Sequence, residues 1–171
     1  MSDEAAVVVV MGVTGSGKST VGQALATRLG WRFQEGDDLH PPGNVAKMAA
    51  GRPLTDEDRA PWLDAIADRI DAWLAEGNLA VVTCSALKRS YRDRLRRGRA
   101  RVRFVHLRAE PALVSRRLAT RRGHFMPPSL VASQFEAFES PGEDEAPIVV
   151  EADRPTDELV ETIVAALTGR P

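Results

Sequence analysis

A short segment near the start of the chain combines glycines, hydroxyl side chains and one lysine in a spacing that suits phosphate chemistry. It fits the pattern G-x-x-x-x-G-K-[ST] in full and reads Gly12, Val13, Thr14, Gly15, Ser16, Gly17, Lys18, Ser19. Glycines let such a loop turn back on itself, so that several backbone N–H groups point into one concavity that binds a polyphosphate. We expect Lys18 to reach the β- and γ-phosphates and the Ser19 hydroxyl to bind Mg²⁺. The loop alone does not separate kinases from ATPases, GTPases or helicases.

Carboxylates cluster in a second segment, from Glu35 to His40, which follows a short predicted strand. Phosphorylation of an alcohol requires a group that orients the hydroxyl and accepts its proton late in the transfer, and a carboxylate does both. We expect Asp37 to take this role. The strand that ends at Thr83 runs into no Walker-B aspartate, so the acidic group near the metal must come from elsewhere. We expect Glu35, or alternatively Asp38, to lie near the water molecules bound to the metal. A solvated acidic turn is the alternative interpretation, but the phosphate loop upstream favours a functional role.

Alternating strands and helices would hold these two segments. Apolar runs predict strands at about 6–11, 31–34, 79–83, 102–107 and 147–150. Helical patterns occur at about 18–29, 110–121, 129–138 and 156–167, and Gly30 ends the first of them. The longest helix has Thr55 and Asp58 at capping-box spacing, but we expect it to start near Pro61, because proline is tolerated in a first turn.

This alternation predicts an α/β fold with three layers, in which helices cover both faces of a five-stranded parallel sheet. Ligands bind such sheets in the crevice at the carboxyl ends of the strands, and both candidate segments follow strand ends. The chain has 171 residues, which suits one compact domain, and we expect a single P-loop domain over 1–171.

Composition narrows the classes of function. The formal net charge is −1, which gives no argument for nucleic acid or a membrane as a partner. No apolar run reaches the roughly 18 residues of a membrane helix, and the first residues are acidic where a signal peptide would be basic. Cys84 is the single cysteine, so a reducing compartment is the simpler interpretation. We therefore expect a cytoplasmic protein.

From Gly12 to about Glu145 the chain resembles the bacterial-type gluconate kinases. The phosphate loop is shared by many families, whereas the block from 36 to 63 is far more specific. The matching residues of that block are Gly36, Asp37, Asp38, Leu39, His40, Pro41, Asn44, Lys47, Met48, Gly51, Arg52, Pro53, Leu54, Asp56, Asp58, Arg59, Pro61, Trp62 and Leu63. Further matches are Cys84, Ser85, Ala86, Leu87, Lys88, Tyr91, Arg92, Gly123, His124, Phe125, Met126, Ser133, Gln134, Phe135 and Glu139.

The resemblance implies a P-loop kinase fold similar to that of shikimate and adenylate kinases, with a substrate-binding region at about 36–76 and a mobile lid at about 121–130. It implies transfer of the ATP γ-phosphate to the C6 hydroxyl of gluconate, with ATP and Mg²⁺ as cofactors, and it suggests a homodimer. In shikimate kinases an aspartate four residues beyond the aromatic residue of the second strand holds the substrate hydroxyl. Phe33 and Asp37 have this spacing.

The side chains around this region suit an anionic polyol as the acceptor. Carboxylates are bound by arginine and lysine, and we expect Arg52, Arg59, Lys88 and Arg92 to flank the crevice. Polyol hydroxyls require fixed donors and acceptors. The expected substrate-binding residues are Asp37, His40, Asn44, Arg52, Arg59, Lys88 and His124, of which Arg52 and Lys88 hold the acceptor. Taken alone, each arginine is more often a solvated surface residue, and His40 can equally cap the following helix.

Arginines near the end of one predicted helix indicate a lid over the phosphates. Arg117 and Arg121 lie on one helical face, and lid arginines can neutralise charge on a transferring phosphoryl group while closure excludes water. We expect Arg121 to be catalytic together with Lys18 and Asp37, although these charges could also complement the helix dipole. In related kinases the loop at Arg154 packs on adenine. The expected ATP-binding residues are Gly12, Val13, Thr14, Gly15, Ser16, Gly17, Lys18, Ser19, Thr20, Arg117, Arg121 and Arg154.

Three other functions stay open at this point. The segment from Lys88 to Arg103 is rich in arginine, as in nucleic-acid-binding proteins, but it has little aromatic interleaving and no known binding motif. A solvated basic helix and turn is the commoner meaning of such a segment. A kinase for another small acid or polyol, such as shikimate, would share the ATP site and differ on the acceptor side. A nucleotide-binding protein without turnover would not need Asp37.

Overall fold

Strand β1 (Val7–Met11) forms the centre of the sheet, and its side chains are all apolar and buried. The structure is a computed structural model that describes residues 4–120 and 128–169. The other strands in these ranges are β2 (Arg32–Gln34), β3 (Ala80–Thr83), β4 (Val102–Arg108) and β5 (Ile148–Glu151). All neighbouring strands are parallel and lie in the order β2-β3-β1-β4-β5. The predicted five-stranded parallel sheet is therefore confirmed.

Helices cover both faces of this sheet, which confirms the three layers. The helices of the described residues are α1 (Lys18–Leu29), α2 (Pro42–Ala49), α3 (Asp56–Glu76), α4 (Arg89–Arg96), α5 (Pro111–Thr120), α6 (Pro128–Ala137) and α7 (Thr156–Thr168). Val7 and Val9 of β1 pack in one core with α3 and α4. Val8 and Val10 pack in a second core with α1 and α7. One valine run supplies both cores because successive side chains of a strand point to opposite faces.

Helix α3 begins at Asp56, so the expected start near Pro61 is wrong. The Thr55 hydroxyl accepts the Asp58 N–H at 3.1 Å, and the Asp58 carboxylate accepts the Thr55 N–H at 2.9 Å. Lys47 forms an ion pair with Asp58 at 2.7 Å. This capping box secures the first turn ahead of the proline. Pro61 then lies inside the helix without ending it. The helix lacks one backbone hydrogen bond there, because proline has no N–H to donate.

The arginine-rich segment packs against an acidic face of α3. Arg94 of α4 forms an ion pair with Asp64 at 2.7 Å. Arg97, at the end of α4, pairs with Asp68 at 3.0 Å and also with Asp71. Charges that suggest a nucleic-acid surface when the segment is considered alone are thus matched by carboxylates of the neighbouring helix.

One arginine of α4 is buried in the core. Arg92 is 1% exposed and forms a two-pronged ion pair with Glu145, at 2.7 and 3.2 Å. It also donates to the Ala86 carbonyl at 2.9 Å. Burial alone would raise the pKa of the Glu145 carboxyl, but the Arg92 guanidinium and the N–H of Gly142 lower this pKa below its ordinary value. The Glu145 carboxylate therefore stays ionised, and Arg92 joins the middle of α4 to the segment that leads into β5. The expectation that Arg92 flanks the substrate crevice is wrong, because its guanidinium is buried against Glu145.

The expected lid at about 121–130 lies largely outside the described residues. Its last positions, 128–130, form the first turn of α6. Arg121 and His124, which were expected in catalysis and substrate binding, also lie outside the described residues. Within residues 4–120 and 128–169, no helix has the length and apolar character needed to cross a membrane.

Candidate active site

The phosphate loop joins β1 to α1 and lines a cleft of about 320 Å³, the phosphate-loop cleft. The Lys18 ammonium donates to the Val13 carbonyl at 3.0 Å, which spans the loop. The cleft opens over the N-terminus of α1, where backbone N–H groups and the helix dipole favour bound phosphate. The expected ATP-binding residues that line it are Thr14, Gly15, Ser16, Gly17, Lys18, Ser19, Thr20, Arg117 and Arg154. Gly12 and Val13, the first two residues of the loop, are buried and are not among the described lining residues.

Arg117 ties the phosphate loop to the far end of the sheet. Its guanidinium donates to the Ser16 carbonyl and to the Ala152 carbonyl, each at 2.6 Å. Ala152 follows β5, so the arginine bridges the loop after β1 and the loop after β5. Arg154 lies in this second loop and lines the same cleft. Both arginines therefore belong to the wall of the phosphate-loop cleft.

Glu35 receives two short hydrogen bonds at the end of β2. The Ser19 hydroxyl donates to one carboxylate oxygen at 2.5 Å, and the Thr83 hydroxyl donates to the other at 2.5 Å. Strand β3 lies between β1 and β2, so Thr83 bridges the distance that separates Glu35 from the phosphate loop. The structure thus brings together Ser19 and Glu35, the two residues expected at the metal, and hydroxyl and carboxylate oxygens are ligands that suit Mg²⁺.

Two glycines allow the close approaches on which this network depends. A Cβ atom on Gly22 of α1 would lie 2.9 Å from the Phe33 ring, so only glycine lets α1 pack so closely on β2. A Cβ atom on Gly36 would lie 1.8 Å from the Thr83 carbonyl oxygen. The Gly36 N–H donates to the Thr83 hydroxyl at 3.1 Å, and its carbonyl accepts the indole N–H of Trp62 at 2.8 Å. Gly36 thereby fixes the short 3-10 helix, Gly36–Leu39, that carries Asp37.

A smaller pocket of about 80 Å³, the Arg59 pocket, adjoins the phosphate-loop cleft. Thr14, Lys18 and Asp37 line both. The other described residues that line the Arg59 pocket are His40, Met48, Arg52, Pro53, Leu54, Arg59, Trp62, Ser85, Leu130, Ser133 and Gln134. Two arginines beside an aspartate give the pocket groups for both an anion and hydroxyls. The pocket thus brings together Asp37, His40, Arg52 and Arg59, which were all expected to bind substrate.

His40 is held in the Arg59 pocket as a neutral ring. It stacks on Trp62, with ring centroids 4.0 Å apart and an interplanar angle of 13°. Burial lowers the pKa of His40, and Arg59 adds to this effect, whereas Asp37 opposes it. A neutral imidazole can donate a hydrogen bond to a polyol hydroxyl or accept one from it, but it carries no positive charge to attract an anion.

Two expected substrate-binding residues, Asn44 and Lys88, are not among the described residues that line the Arg59 pocket. The Asn44 amide donates to the Asp58 carbonyl at 2.8 Å and lies 3.2 Å from the His40 ring nitrogen. Its side-chain NH₂ group is thus used to hold His40 and α3. The Lys88 ammonium pairs with Asp56, at 3.0 Å to the nearer oxygen, so a carboxylate of the protein already matches its charge.

Gln134 of α6 is a site residue that reasoning from the sequence did not single out. Its side-chain oxygen accepts the backbone N–H of Thr14 at 2.6 Å. This contact places α6 directly against the phosphate loop, and Gln134 also lines the Arg59 pocket. The only sequence signal was its position within the matched Ser133, Gln134 and Phe135, because 120 positions separate Gln134 from Thr14.

Comparisons with known proteins agree with this geometry. Residues 7–141 match the family described as AAA domain. The gluconokinase of Gluconobacter oxydans (strain 621H) is 52% identical over 156 residues, which are 91% of this chain and 88% of that protein. The thermoresistant gluconokinase of Escherichia coli (strain K12) is 41% identical over 160 residues, or 93% of this chain and 91% of that protein.

Solved structures lead to the same family. The crystal structure of a gluconokinase from Sinorhizobium meliloti 1021 aligns with a TM-score of 0.85 and 47% identity, covering 95% of this chain and 91% of that chain. A shikimate kinase from Aquifex aeolicus, at 19% identity and a TM-score of 0.61 over 95% of this chain and 96% of that one, shares the fold alone. With its phosphate loop and the long matches to named relatives, the chain belongs to the gluconokinase family of P-loop kinases.

Proposed function

We propose that this chain transfers the γ-phosphoryl group of MgATP to the C6 hydroxyl of D-gluconate, giving 6-phosphogluconate and ADP. The observation that carries the proposal is that the phosphate-loop cleft and the Arg59 pocket share Thr14, Lys18 and Asp37. Direct transfer between two bound substrates requires such a junction, because the acceptor oxygen must approach the γ-phosphorus in line. The names of the relatives support gluconate as the acid.

Asp37 is proposed to orient the acceptor at this junction. The C6 oxygen forms a bond to the γ-phosphorus while the bond from that phosphorus to the bridging oxygen breaks. The electron pair of the broken bond leaves with ADP, and the hydroxyl proton passes to the Asp37 carboxylate. Lys18, with Arg121 from the lid, stabilises the charge on the phosphoryl group.

Mg²⁺ is proposed to be held by the Ser19 hydroxyl and by phosphate oxygens, with Glu35 accepting hydrogen bonds from metal-bound water. This assignment is supported by Ser19 and Glu35, which both line the phosphate-loop cleft, and by the buried Thr83 hydroxyl, which holds the Glu35 carboxylate. When bound, the ion neutralises charge on the β- and γ-phosphates.

Recognition of gluconate is assigned to the Arg59 pocket. Arg52 and Arg59 are proposed to bind the carboxylate, and neutral His40 to bind a hydroxyl. His124 of the lid is proposed to complete this site on closure. The substrate-binding region at about 36–76, the cytoplasmic location and the homodimer stay predictions; analytical ultracentrifugation would test the last of these.

The decisive experiment is ADP release by the purified protein with MgATP and a panel of acceptors. The panel contains gluconate, shikimate, glucose, glycerate and nucleoside monophosphates. We expect stimulation by gluconate, with phosphorus NMR placing the new ester on C6. Stimulation by a different acceptor would contradict the assignment of gluconate, but the assignment of the phosphate loop to ATP binding would still hold. Retention of labelled oligonucleotides at low salt, lost at higher salt, would instead favour nucleic-acid binding.

A further inference from the structure

A line of hydrogen bonds leads out of the Arg59 pocket through one phenol. The Arg59 guanidinium donates to the Tyr91 hydroxyl at 3.0 Å. The Tyr91 hydroxyl donates in turn to the Asp56 carboxylate. Lys88 donates to both oxygens of the same carboxylate, at 3.0 and 3.2 Å. Of these four residues, Arg59 alone is among those that line the pocket.

Two packed helices, α3 and α4, position Arg59 and Tyr91. The Tyr91 ring is 5% exposed and belongs to the core between α4 and the sheet. Asp56 and Arg59 lie three residues apart at the start of α3, so they project from one side of that helix. The capping box at Thr55 fixes this first turn. The position of the Tyr91 hydroxyl relative to Arg59 is therefore set by two packed helices.

The order of charges along the line leaves Arg59 available to an anion. The Asp56 carboxylate is paired with Lys88, and hydrogen bonds from Tyr91 and then from Lys88 lower its pKa, so it stays ionised. The group in contact with Arg59 is a neutral phenol. Among residues 4–120 and 128–169 no carboxylate lies within ion-pair distance of Arg59, and the more distant Arg59 charge makes only the last-ranked contribution to the lowered pKa of Asp56. A carboxylate at the position of the phenol would hold the guanidinium equally well but would compete with an acidic ligand for its charge.

We propose that Tyr91 is a positioning residue that aims Arg59 at the carboxylate of the acceptor and thereby sets the affinity for acidic acceptors. Asp56 and Lys88 act behind it by fixing the direction of the phenolic O–H. The inference rests on the proposed function, and it gives Lys88 an indirect role in place of the direct contact expected from the sequence.

The test is Tyr91→Phe, which keeps the buried ring and removes only the hydroxyl. We expect KM for gluconate to rise about tenfold, the scale of one lost hydrogen bond to a charged group. We expect kcat to stay within about twofold and KM for ATP to stay unchanged, because Arg59 contributes to binding and not to the transfer itself. Arg94→Gln is the matched control, because it breaks an ion pair between the same two helices without touching Arg59. It should leave KM for gluconate unchanged.

A double-mutant cycle separates positioning from general stability. In an Arg59→Met background, Tyr91→Phe should have no further effect on KM for gluconate. An equal effect in both backgrounds, or an unchanged KM in the single variant, would overturn the role of Tyr91. Wild-type turnover with gluconate is measured first. If the wild-type protein shows no turnover, both the proposed function and this inference are contradicted. If the wild-type protein is active and Tyr91→Phe leaves KM for gluconate unchanged, only the inference is contradicted.

Discussion

The Glu35 carboxylate accepts the Ser19 hydroxyl at 2.5 Å, so a residue from the end of β2 contacts the first turn of α1 at the phosphate loop. Strand order alone does not make them neighbours, because β3 separates β2 from β1. The contact exists because α1 packs closely on β2 and β3 through Gly22. It identifies Glu35 as the carboxylate nearest to the hydroxyl assigned to Mg²⁺.

Glu35→Gln should raise the Mg²⁺ concentration needed for half-maximal rate. Glutamine keeps the shape but loses the charge that orients Ser19 and metal-bound water, and such outer-sphere changes cost about 10- to 100-fold in metal affinity. The measurement is the initial rate against free Mg²⁺ at saturating ATP. Glu76→Gln, at the end of α3 and away from the site, is the control. An identical Mg²⁺ dependence in the Glu35 variant would remove this residue from the metal site.

Asp37→Asn should lower kcat by about 100-fold or more, because an amide cannot accept the proton of the acceptor hydroxyl. Asp37 is exposed at the junction of the two cavities, with 72% of its side chain accessible, so its replacement should leave the fold intact. Asp38→Asn, one position along the same short helix, is the control and should keep most of the activity. Near-normal turnover by a folded Asp37→Asn variant would refute the proton-accepting role.

Gly36→Ala should destabilise the protein and disorder the acceptor side. The added methyl group would meet the Thr83 carbonyl oxygen at 1.8 Å, and backbone on both sides must shift to relieve the contact. We expect a loss of about 3 kcal/mol, the upper part of the usual range for overpacking. Gly43→Ala is the control, because a Cβ atom there meets nothing within 4 Å. Urea denaturation of both variants checks this, and equal stability would contradict the close approach.

Much of this site could be predicted from the sequence because its parts are local. The phosphate loop is one continuous segment, and Asp37 follows a strand end by a short, fixed distance. The expected start of α3 near Pro61 is wrong because the capping box extends the helix back to Asp56. Tertiary contacts of this first turn, which the sequence does not show, help to hold it in place. The role of Gln134 could not be predicted, because its contact with Thr14 depends on how α6 packs against the phosphate loop.

Lys88 shows a further limit of sequence reasoning. A basic residue near a predicted crevice indicates an anion site, but the sequence does not show whether a carboxylate of the protein already occupies it. The structure supplies that carboxylate in Asp56.

Arg92→Met should cost about 3–5 kcal/mol of stability, because it leaves the Glu145 charge buried without its partner. Arg89→Met provides the contrast. Arg89 lies about one helix turn before Arg92 and pairs with Asp144, but half of its side chain is exposed, so the change should cost much less stability than Arg92→Met. Chemical denaturation of the two variants under identical conditions measures the difference. If both variants lose a similar free energy of unfolding, the burial of Arg92 does not make its ion pair more important for stability than the exposed pair of Arg89.

Stability should fall below pH 6.5 partly because of His106 on β4. Burial, followed by the nearby charges of Arg108 and Arg92, lowers the pKa of His106 from 6.5 to about 4. The unfolded chain therefore binds the proton first as the pH falls, and the stability present above pH 6.5 is lost progressively towards pH 4. Each pH unit in this window costs about 1.4 kcal/mol for one such group.

His106→Leu should make the pH dependence shallower. Urea unfolding of wild type and variant at pH 7.5, 5.5 and 4.5 gives the two slopes, and contributions from carboxylates cancel in the comparison. The neighbouring Phe138 ring, 5.0 Å away, lets an apolar side chain fill the same space. Parallel slopes would mean that His106 is protonated as easily in the folded protein as in the unfolded chain.

Four polar side chains of the Arg59 pocket, Asp37, His40, Arg52 and Arg59, all belong to the single crossover that joins β2 to β3. The wall of the phosphate-loop cleft is built mainly from other parts of the chain. Changes at His40, Arg52 and Arg59 would therefore alter which molecule receives the phosphate, whereas Glu35 and Asp37 of the same crossover also line the phosphate-loop cleft. The charged groups that select the acceptor are thus concentrated in one stretch of sequence, so a new acceptor can evolve by changes within this crossover that leave Glu35 and Asp37 in place.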